Sequence, residues 1–182
     1  MSGSSNNDIT ENTCSDNYRG LELWGSTNNN ITNNNALNNR KGIAFHDSST
    51  NTIYLNNFIE NTGGNIFFDS TNIWNSAEEI TYAYNGNTYT GYLGNYWSDY
   101  TGSNANGDGI GDTPYSIDSD KDDYPLMNRF ENYEIGPPPT PPTIRTVPPL
   151  VPTVSQWGAL AMVIALAGCI IWTLRRRVSS KA

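Results

Sequence analysis

Soft metal ligands and cross-links are nearly missing from this chain of 182 residues, which holds two cysteines, three methionines and one histidine. Cys14 stands near the start and Cys169 inside the one long apolar run. The two are not expected to pair, so no disulfide framework supports the fold. Basic charge is scarce as well: ten Lys and Arg oppose 18 Asp and Glu, for a net charge of −8. All 18 acids lie at or before Glu134, where only Arg19, Arg40, Lys41, Lys121 and Arg129 face them. No basic stripe is left for a phosphate backbone, which excludes a nucleic-acid partner. An acidic exterior suits solubility and cation binding instead. No apolar run precedes Gly158, and the first residues, Met-Ser-Gly-Ser-Ser-Asn-Asn-Asp, hold no apolar core of a secretory signal.

What the chain has in abundance is repetition. Gly20, Gly42 and Gly64 are 22 residues apart, as are Ile9, Ile31 and Ile53, then Leu23, Phe45 and Phe67, then Ser26, Ser48 and Ser70, then Asn12, Asn34 and Asn56. A fixed period of this length, built of short alternating segments rich in Asn, Gly and Thr, predicts a β-solenoid and disfavours a helical repeat. Alternation places Leu21 and Leu23 inward with Glu22 and Trp24 outward, and the next rung puts Ile43 and Phe45 inward with His46 outward. Leu23, Phe45 and Phe67 are expected to stack as one apolar column and the three isoleucines as another. Asn12, Asn34 and Asn56 fall at a bend, where stacked amides can bond one another and the backbone. The first residues enter this period partway through a rung. Together with the polar start, that gives the expectation that the chain is the C-terminal piece of a longer exported protein.

These rungs resemble the right-handed parallel β-helix family of NosD-like and CASH-type surface proteins. The resemblance continues through Asn72-Ile73-Trp74-Asn75, Gly94-Asn95-Tyr96-Trp97-Ser98-Asp99-Tyr100, Asn106-Gly107-Asp108-Gly109-Ile110-Gly111-Asp112 and Asp123-Tyr124-Pro125-Leu126, so it spans roughly residues 5–135. It implies an all-β, right-handed, single-stranded parallel β-helix of about three 22-residue rungs over residues 1–79, followed by an aromatic-rich cap over 80–136. The copper role in the NosD name finds little support in the residues themselves, since His46 is the single histidine and has no second soft ligand nearby.

Within the cap, Tyr82-Ala83-Tyr84-Asn85-Gly86-Asn87 reads as a hairpin with a type I′ turn. An open solenoid end exposes strand edges and an apolar column, and this aromatic stretch is placed to cover it. Its rings could alternatively serve as a sugar-binding platform. Asn104, Asn106, Asp108, Ile110 and Asp112 have the alternate spacing of an EF-hand-like calcium loop with Gly109 at the sixth place. Position one is Asn and position twelve is Tyr115, so the bidentate carboxylate is expected from Asp118, Asp120, Asp122 or Asp123. Hard oxygen donors favour calcium over a transition metal; the alternative is an ion-free Asx/Gly turn. Trp24, His46 and Phe68 form an outward stripe at the 22-residue period, a candidate surface for a polysaccharide unless the cap or a loop covers it. Asp47, Asp69, Arg40, Lys41 and His46 make only a thin constellation for catalysis, without a carboxylate pair joined to a placed base. The chain is therefore read as no enzyme. Asn30-Ile31-Thr32 is the single glycosylation sequon and is expected at a rung bend.

Beyond Gly136 the composition changes. The Pro/Thr-rich segment 137–152 reads as a semi-rigid polyproline spacer. Segment 153–182 holds an uncharged stretch, residues 158–174, whose ~1.5 Å rise per residue brings it near the lower limit for a bilayer span. Trp157 and Trp172 sit near its two ends, and Arg175, Arg176 and Arg177 follow as a cytoplasmic stop. Pro152, Thr153, Ser155, Trp157 and Gly158 resemble the IPTL-CTERM class of surface sorting signals. That resemblance implies an exosortase-like processing enzyme as partner and a place on the cell surface, held to the membrane through the tail. The function expected is a structural or adhesive protein of the cell envelope. The alternatives are a carbohydrate-binding module or the end of a polysaccharide-processing lyase or epimerase.

Overall fold

The computed structural model describes residues 1–63, 71–117 and 120–136, together with the backbone of 66–67. The Pro-rich segment, the apolar run and the sorting-signal residues lie outside the described residues. Among the described residues no helix is long and apolar enough to cross a membrane.

Three parallel sheets are each fed by one short strand per circuit. Asp8–Thr10, Asn30–Thr32 and Thr52–Tyr54 build the first, with Ile9, Ile31 and Ile53 in register. The second is made of Thr13–Ser15, Asn35–Leu37, Asn57–Ile59 and Tyr96–Trp97. Arg19–Trp24, Lys41–His46 and Ile66–Phe67 form the third. This is a parallel β-helix. Its strands are short because the chain turns at corner residues in the left-handed region, and these also recur every 22 residues. Asn6, Asn28 and Thr50 form one corner, Glu11, Asn33 and Leu55 another, Asp16, Asn38 and Glu60 a third, and Gly3, Gly25 and Asp47 a fourth, all with φ between 48° and 60°. Glycine and asparagine enter that region at least cost, and they hold half of these corner positions.

Directly after each corner stands a polar side chain that bonds its counterpart on the next circuit. Asn12 donates its backbone N–H and its Nδ2 to Asn34 Oδ1, both at 3.0 Å. Asn34 does the same to Asn56 Oδ1, both at 3.0 Å. Each Nδ2 also reaches back, Asn34 to the Ile9 carbonyl at 2.8 Å and Asn56 to the Ile31 carbonyl at 2.7 Å. A second ladder runs through Asn7, Asn29, Asn51 and Asn72. A third runs through Asn17, Asn39 and Asn61, and Ser4, Ser26 and Ser48 form a shorter serine version. Buried amides are costly unless bonded, and here each is bonded above, below and to the backbone. Gly20 has a related reason: a Cβ there would meet the Gly42 carbonyl at 2.6 Å and Asn39 Nδ2 at 2.9 Å.

Inside the rungs, Leu23, Ile31, Ile43, Phe45, Ile53 and Phe58 are all buried. The expected continuation of Leu23 and Phe45 into Phe67 is not what the register shows. Ile66 pairs with Ile43 and Phe67 with Ala44, a separation of 23 residues. Asn39 and Asn61 still keep the 22-residue period, so one additional residue enters between Asn61 and Ile66. The count then shortens, and Asn51 bonds Asn72 at a separation of 21. The isoleucine column thus continues into Trp74, which is buried.

Parallel pairing also continues past residue 79. Trp97 pairs with Phe58 and the two rings stack at 4.5 Å. A fourth, incomplete circuit consists of residues 72–76 and 93–98. The antiparallel hairpin Ile80–Tyr84 with Asn87–Gly91 is inserted between them. Its turn residues Asn85 and Gly86 both have positive φ, 48° and 79°, as a type I′ turn requires. A second hairpin, Tyr115–Ile117 with Asp120–Asp122, lies over the end of the rungs, where the Tyr115 ring stacks on Trp97 at 4.4 Å. Tyr82, Tyr84, Leu93, Leu126 and Tyr133 make a second core together with Leu55 of the rungs.

Candidate functional site

A ladder of donors needs a final acceptor, and for two of the asparagine ladders the aspartates on alternate positions of one strand supply it. Asn56 donates its N–H and Nδ2 to Asn95 Oδ1 at 3.2 and 2.9 Å. Asn95 in turn donates its N–H to Asp122 Oδ2 at 2.7 Å and its Nδ2 to the same oxygen at 3.3 Å. Trp97 Nε1 reaches that oxygen at 2.9 Å, and the Tyr124 N–H reaches Asp122 Oδ1 at 3.0 Å. Asp122 is fully buried, and burial pushes its carboxyl up to about 7 although all four donors pull the other way. Two residues earlier on the strand, Asp120 Oδ2 accepts Trp74 Nε1 at 2.9 Å and the Asn72 N–H at 3.4 Å. Gly94 leaves room for this arrangement, because a Cβ there would fall on the Asp122 carboxylate.

The capping role changes the reading of the calcium loop. Asp120 and Asp122, expected among the sources of its bidentate ligand, are engaged at the ladder ends. Asp123 Oδ1 pairs with Lys121 Nζ at 2.7 Å, and Asp118 lies outside the described residues. Tyr115, at the twelfth place, donates its hydroxyl to both oxygens of Asp99 at 3.1 Å. The loop itself is ordered by its own side chains. Asn106 Oδ1 accepts the Asp108 N–H at 3.1 Å, Asp108 Oδ1 accepts the Ile110 N–H at 2.8 Å, and Asp112 Oδ2 accepts the Ala105 N–H at 2.9 Å. Ile110 bridges Leu126 through the bonds of Gly109 and Gly111, which leaves its own carbonyl out of that bridge. Asn104 Oδ1 is buried and has no hydrogen-bond partner.

On the third sheet, Trp24 is 48 % exposed and stacks on His46 with ring centroids 3.7 Å apart and planes 9° apart. Each ring thus gives one face to the other. His46 Nε2 lies 3.2 Å from Glu22 Oε1, which also pairs with the Arg19 guanidinium. Phe68, the third member of the stripe, lies outside the described residues, as does Asp69. Lys41 donates to the Gly63 carbonyl. Asn30 opens a strand instead of sitting in a bend; the corner precedes it at Asn28, and its Nδ2 donates to Asp8 Oδ1 at 3.3 Å.

Sequence reasoning missed the two acids as ladder ends, and missed Asn95 as a ladder member. The signal for Asn95 was Gly94-Asn95-Tyr96-Trp97, a corner-type residue and an amide before a short alternating strand. For the acids it was the alternation of Asp120 and Asp122, which puts both on one strand face.

Residues 1–102 match the family described as periplasmic copper-binding protein (NosD). Neither the curated proteins nor the solved structures contain a match to this chain.

Proposed function

The chain belongs to the NosD family of parallel β-helix proteins, and from that premise we propose that it is a structural or adhesive protein displayed outside the cytoplasm. The observation that carries this reading is the way the rod is closed. Three asparagine ladders leave few buried polar groups unsatisfied, and two of them end on aspartates beneath an aromatic cap. That is the construction of a rigid, acidic, water-facing scaffold. Its outward histidine is stacked on Trp24 and faces Glu22. The Pro-rich spacer, apolar run and Arg175-Arg176-Arg177 of the sequence support a stalk and a membrane anchor, with the IPTL-CTERM-like signature as the point where a processing enzyme acts. Protease shaving of intact cells that express the full chain tests this. Digestion of the rungs from outside is expected, together with release into the medium when residues 153–182 are deleted. A chain protected inside intact cells would overturn the reading.

Copper, named in the family description, needs convergent nitrogen and sulfur donors. Cys14 lies in the second sheet with a thiol pushed up by burial, His46 lies in the third, and Met127 belongs to the cap. Among the described residues no three His, Cys, Asp or Glu side chains are grouped to hold a metal. The residues present do not fit copper. The Asn104–Asp112 loop suits a hard cation better, since the orphaned Asn104 Oδ1 is a buried acceptor that an ion would satisfy. Calcium there would be held by Asn104, Asn106, Asp108, Asp112 and the Ile110 carbonyl, weakly for want of a bidentate carboxylate. The melting temperature of the full chain is then expected to rise in millimolar calcium relative to EDTA, and not in Asp108→Ala. An unchanged melting temperature in the parent protein would leave an ion-free turn.

A further inference from the structure

We propose that the outer edge of the strand Asn87–Gly91 pairs with the same edge of a second copy of this chain, antiparallel and about a two-fold axis. This goes beyond the surface-display reading and rests on neither the loop ion nor the Trp24 and His46 surface. Asn87–Gly91 is the end strand of a sheet whose order is Asn87–Gly91, Ile80–Tyr84, Glu134–Ile135. Tyr84 stands opposite Asn87 at the turn, Tyr82 opposite Tyr89 and Ile80 opposite Gly91, and in a hairpin of this type these pairs exchange the bonds. Thr88 and Thr90 therefore turn their N–H and C=O away from the hairpin. The same alternation shows on the other strand, where Thr81, opposite Thr90, gives its outward carbonyl to the Gly136 N–H at 3.2 Å. Thr88 and Thr90 are both exposed, and their backbone groups have no partner among the described residues.

Exposed edges are usually blunted by lysine, proline or a bulge. This one has none of them: it reads Asn-Thr-Tyr-Thr-Gly, without charge, and its register with Ile80–Tyr84 is unbroken. The second hairpin, by contrast, carries Asp120, Lys121 and Asp122 on its later strand. Charge and symmetry select the occupant. The chain up to Glu134 is strongly acidic, so two copies repel over most of their surface, and at this edge they can meet without like charges in opposition. Thr88-Tyr89-Thr90 reads the same in both directions, which suits an isologous contact. Antiparallel pairing centred on Tyr89 sets Thr88 against the partner's Thr90 and Tyr89 against the partner's Tyr89. The outward N–H and C=O of each threonine then find an acceptor and a donor. Thr–Thr and Tyr–Tyr are both favourable cross-strand pairs, which a strand of unrelated sequence would not supply. The paired stretch is short, so the contact belongs at the small end of interfaces and is weak and reversible.

Sedimentation equilibrium of the full chain in detergent tests this. The parent protein is expected to dimerise with a Kd of about 10–100 µM. The double variant Thr88→Lys with Thr90→Lys sets ammonium against ammonium across the axis and should weaken association roughly tenfold or more. Thr88→Glu with Thr90→Glu should do the same with carboxylates. An equimolar mixture of the two double variants should regain the parent's affinity, because each lysine then faces a glutamate. Both positions are exposed, so each variant is expected to keep the parent's circular dichroism, which separates lost pairing from lost folding. A parent chain still monomeric at about 200 µM, as it would be if a strand of another protein covers this edge, would overturn the assignment. So would an association that the lysine variant leaves unchanged, or a mixture no tighter than either variant alone. None of these outcomes bears on surface display, which the shaving experiment decides separately.

Discussion

In the rungs a buried side-chain amide is satisfied by its own kind one circuit away, whereas in the cap the same amide ends on a carboxylate. The rungs need no acid because an asparagine both donates and accepts, so the pattern extends for as long as circuits are added. At the end the last amide still has protons to give and no further amide to receive them. Asp120 and Asp122 resolve that, but the solution differs between them. Asp120 is half-buried and takes three donors, two on Oδ2 and its neighbour Lys121 N–H on Oδ1. Asp122 is enclosed and takes four. Repetition therefore distributes the polar cost evenly along the rod, and termination concentrates it at one buried charge.

The widest separation between the two regions should appear within a single ladder. Asn56→Ala removes the acceptor for Asn34 and the donor to Asn95, leaving buried groups unpaired on both neighbouring circuits. A loss of about 4 kcal/mol in urea unfolding is expected. Asn12→Ala cuts the same ladder at its exposed end, where water replaces the lost bonds, and should cost no more than about 1 kcal/mol. Equal losses in the two variants would mean that the ladder is not what holds the rungs. Gly94→Ala attacks the terminus instead. Its new methyl falls on the Asp122 carboxylate, so about 3 kcal/mol should be lost by displacement of a group that has nowhere to move.

Asp122 gives the comparison a pH dependence. Its folded carboxyl titrates near 7 and its unfolded one near the ordinary value of 3.8. Between those values the folded chain holds a proton that the unfolded chain has released. The resulting stabilisation is complete below the unfolded value and is lost as pH rises through 7. Relative to Asp122→Asn, the parent protein should lose stability from pH 4 to pH 8, by about 4 kcal/mol at the upper limit. A difference between the two that stays flat with pH would show that the four donors, and not burial, set the ionisation of this group.

The regular part of the molecule was legible because its physics is periodic. Ile9, Ile31 and Ile53, and the ladder of Asn12, Asn34 and Asn56, stack as their spacing requires. So does the hairpin at Asn85-Gly86 form where its turn residues stand. Legibility failed where the count of residues changes without a change in residue type. The additional residue enters before Ile66 with no change in the side-chain pattern to mark it, and it moved Phe67 from Phe45 to Ala44. The hairpin insertion hid the fourth circuit, because Asn56 and Asn95 are 39 residues apart. At the candidate site, the alternation of oxygen-bearing residues in the loop was visible. The engagement of Asp120 and Asp122 was not, since a carboxylate near a metal-like motif reads as a ligand until its burial and donors are known.

The finest test of the rungs concerns a corner. Asn6, Asn28 and Thr50 occupy the same turn in successive circuits, all with positive φ near 60°. Asparagine accepts that conformation readily, whereas a β-branched residue there is strained by roughly 1 kcal/mol or more. Thr50 is exposed, and what it gains in return is one hydroxyl proton shared between the Ser49 carbonyl at 2.6 Å and Asn28 Oδ1 at 2.8 Å, in reach of water and worth little. Thr50→Asn should therefore stabilise the chain by about 0.5–1 kcal/mol in urea unfolding, the smallest change considered and the one of opposite sign. A loss instead would mean that the threonine hydroxyl ties the two circuits together more strongly than its backbone opposes it. The corners, and not only the ladders, would then have to be counted among the side-chain contacts that join one rung to the next.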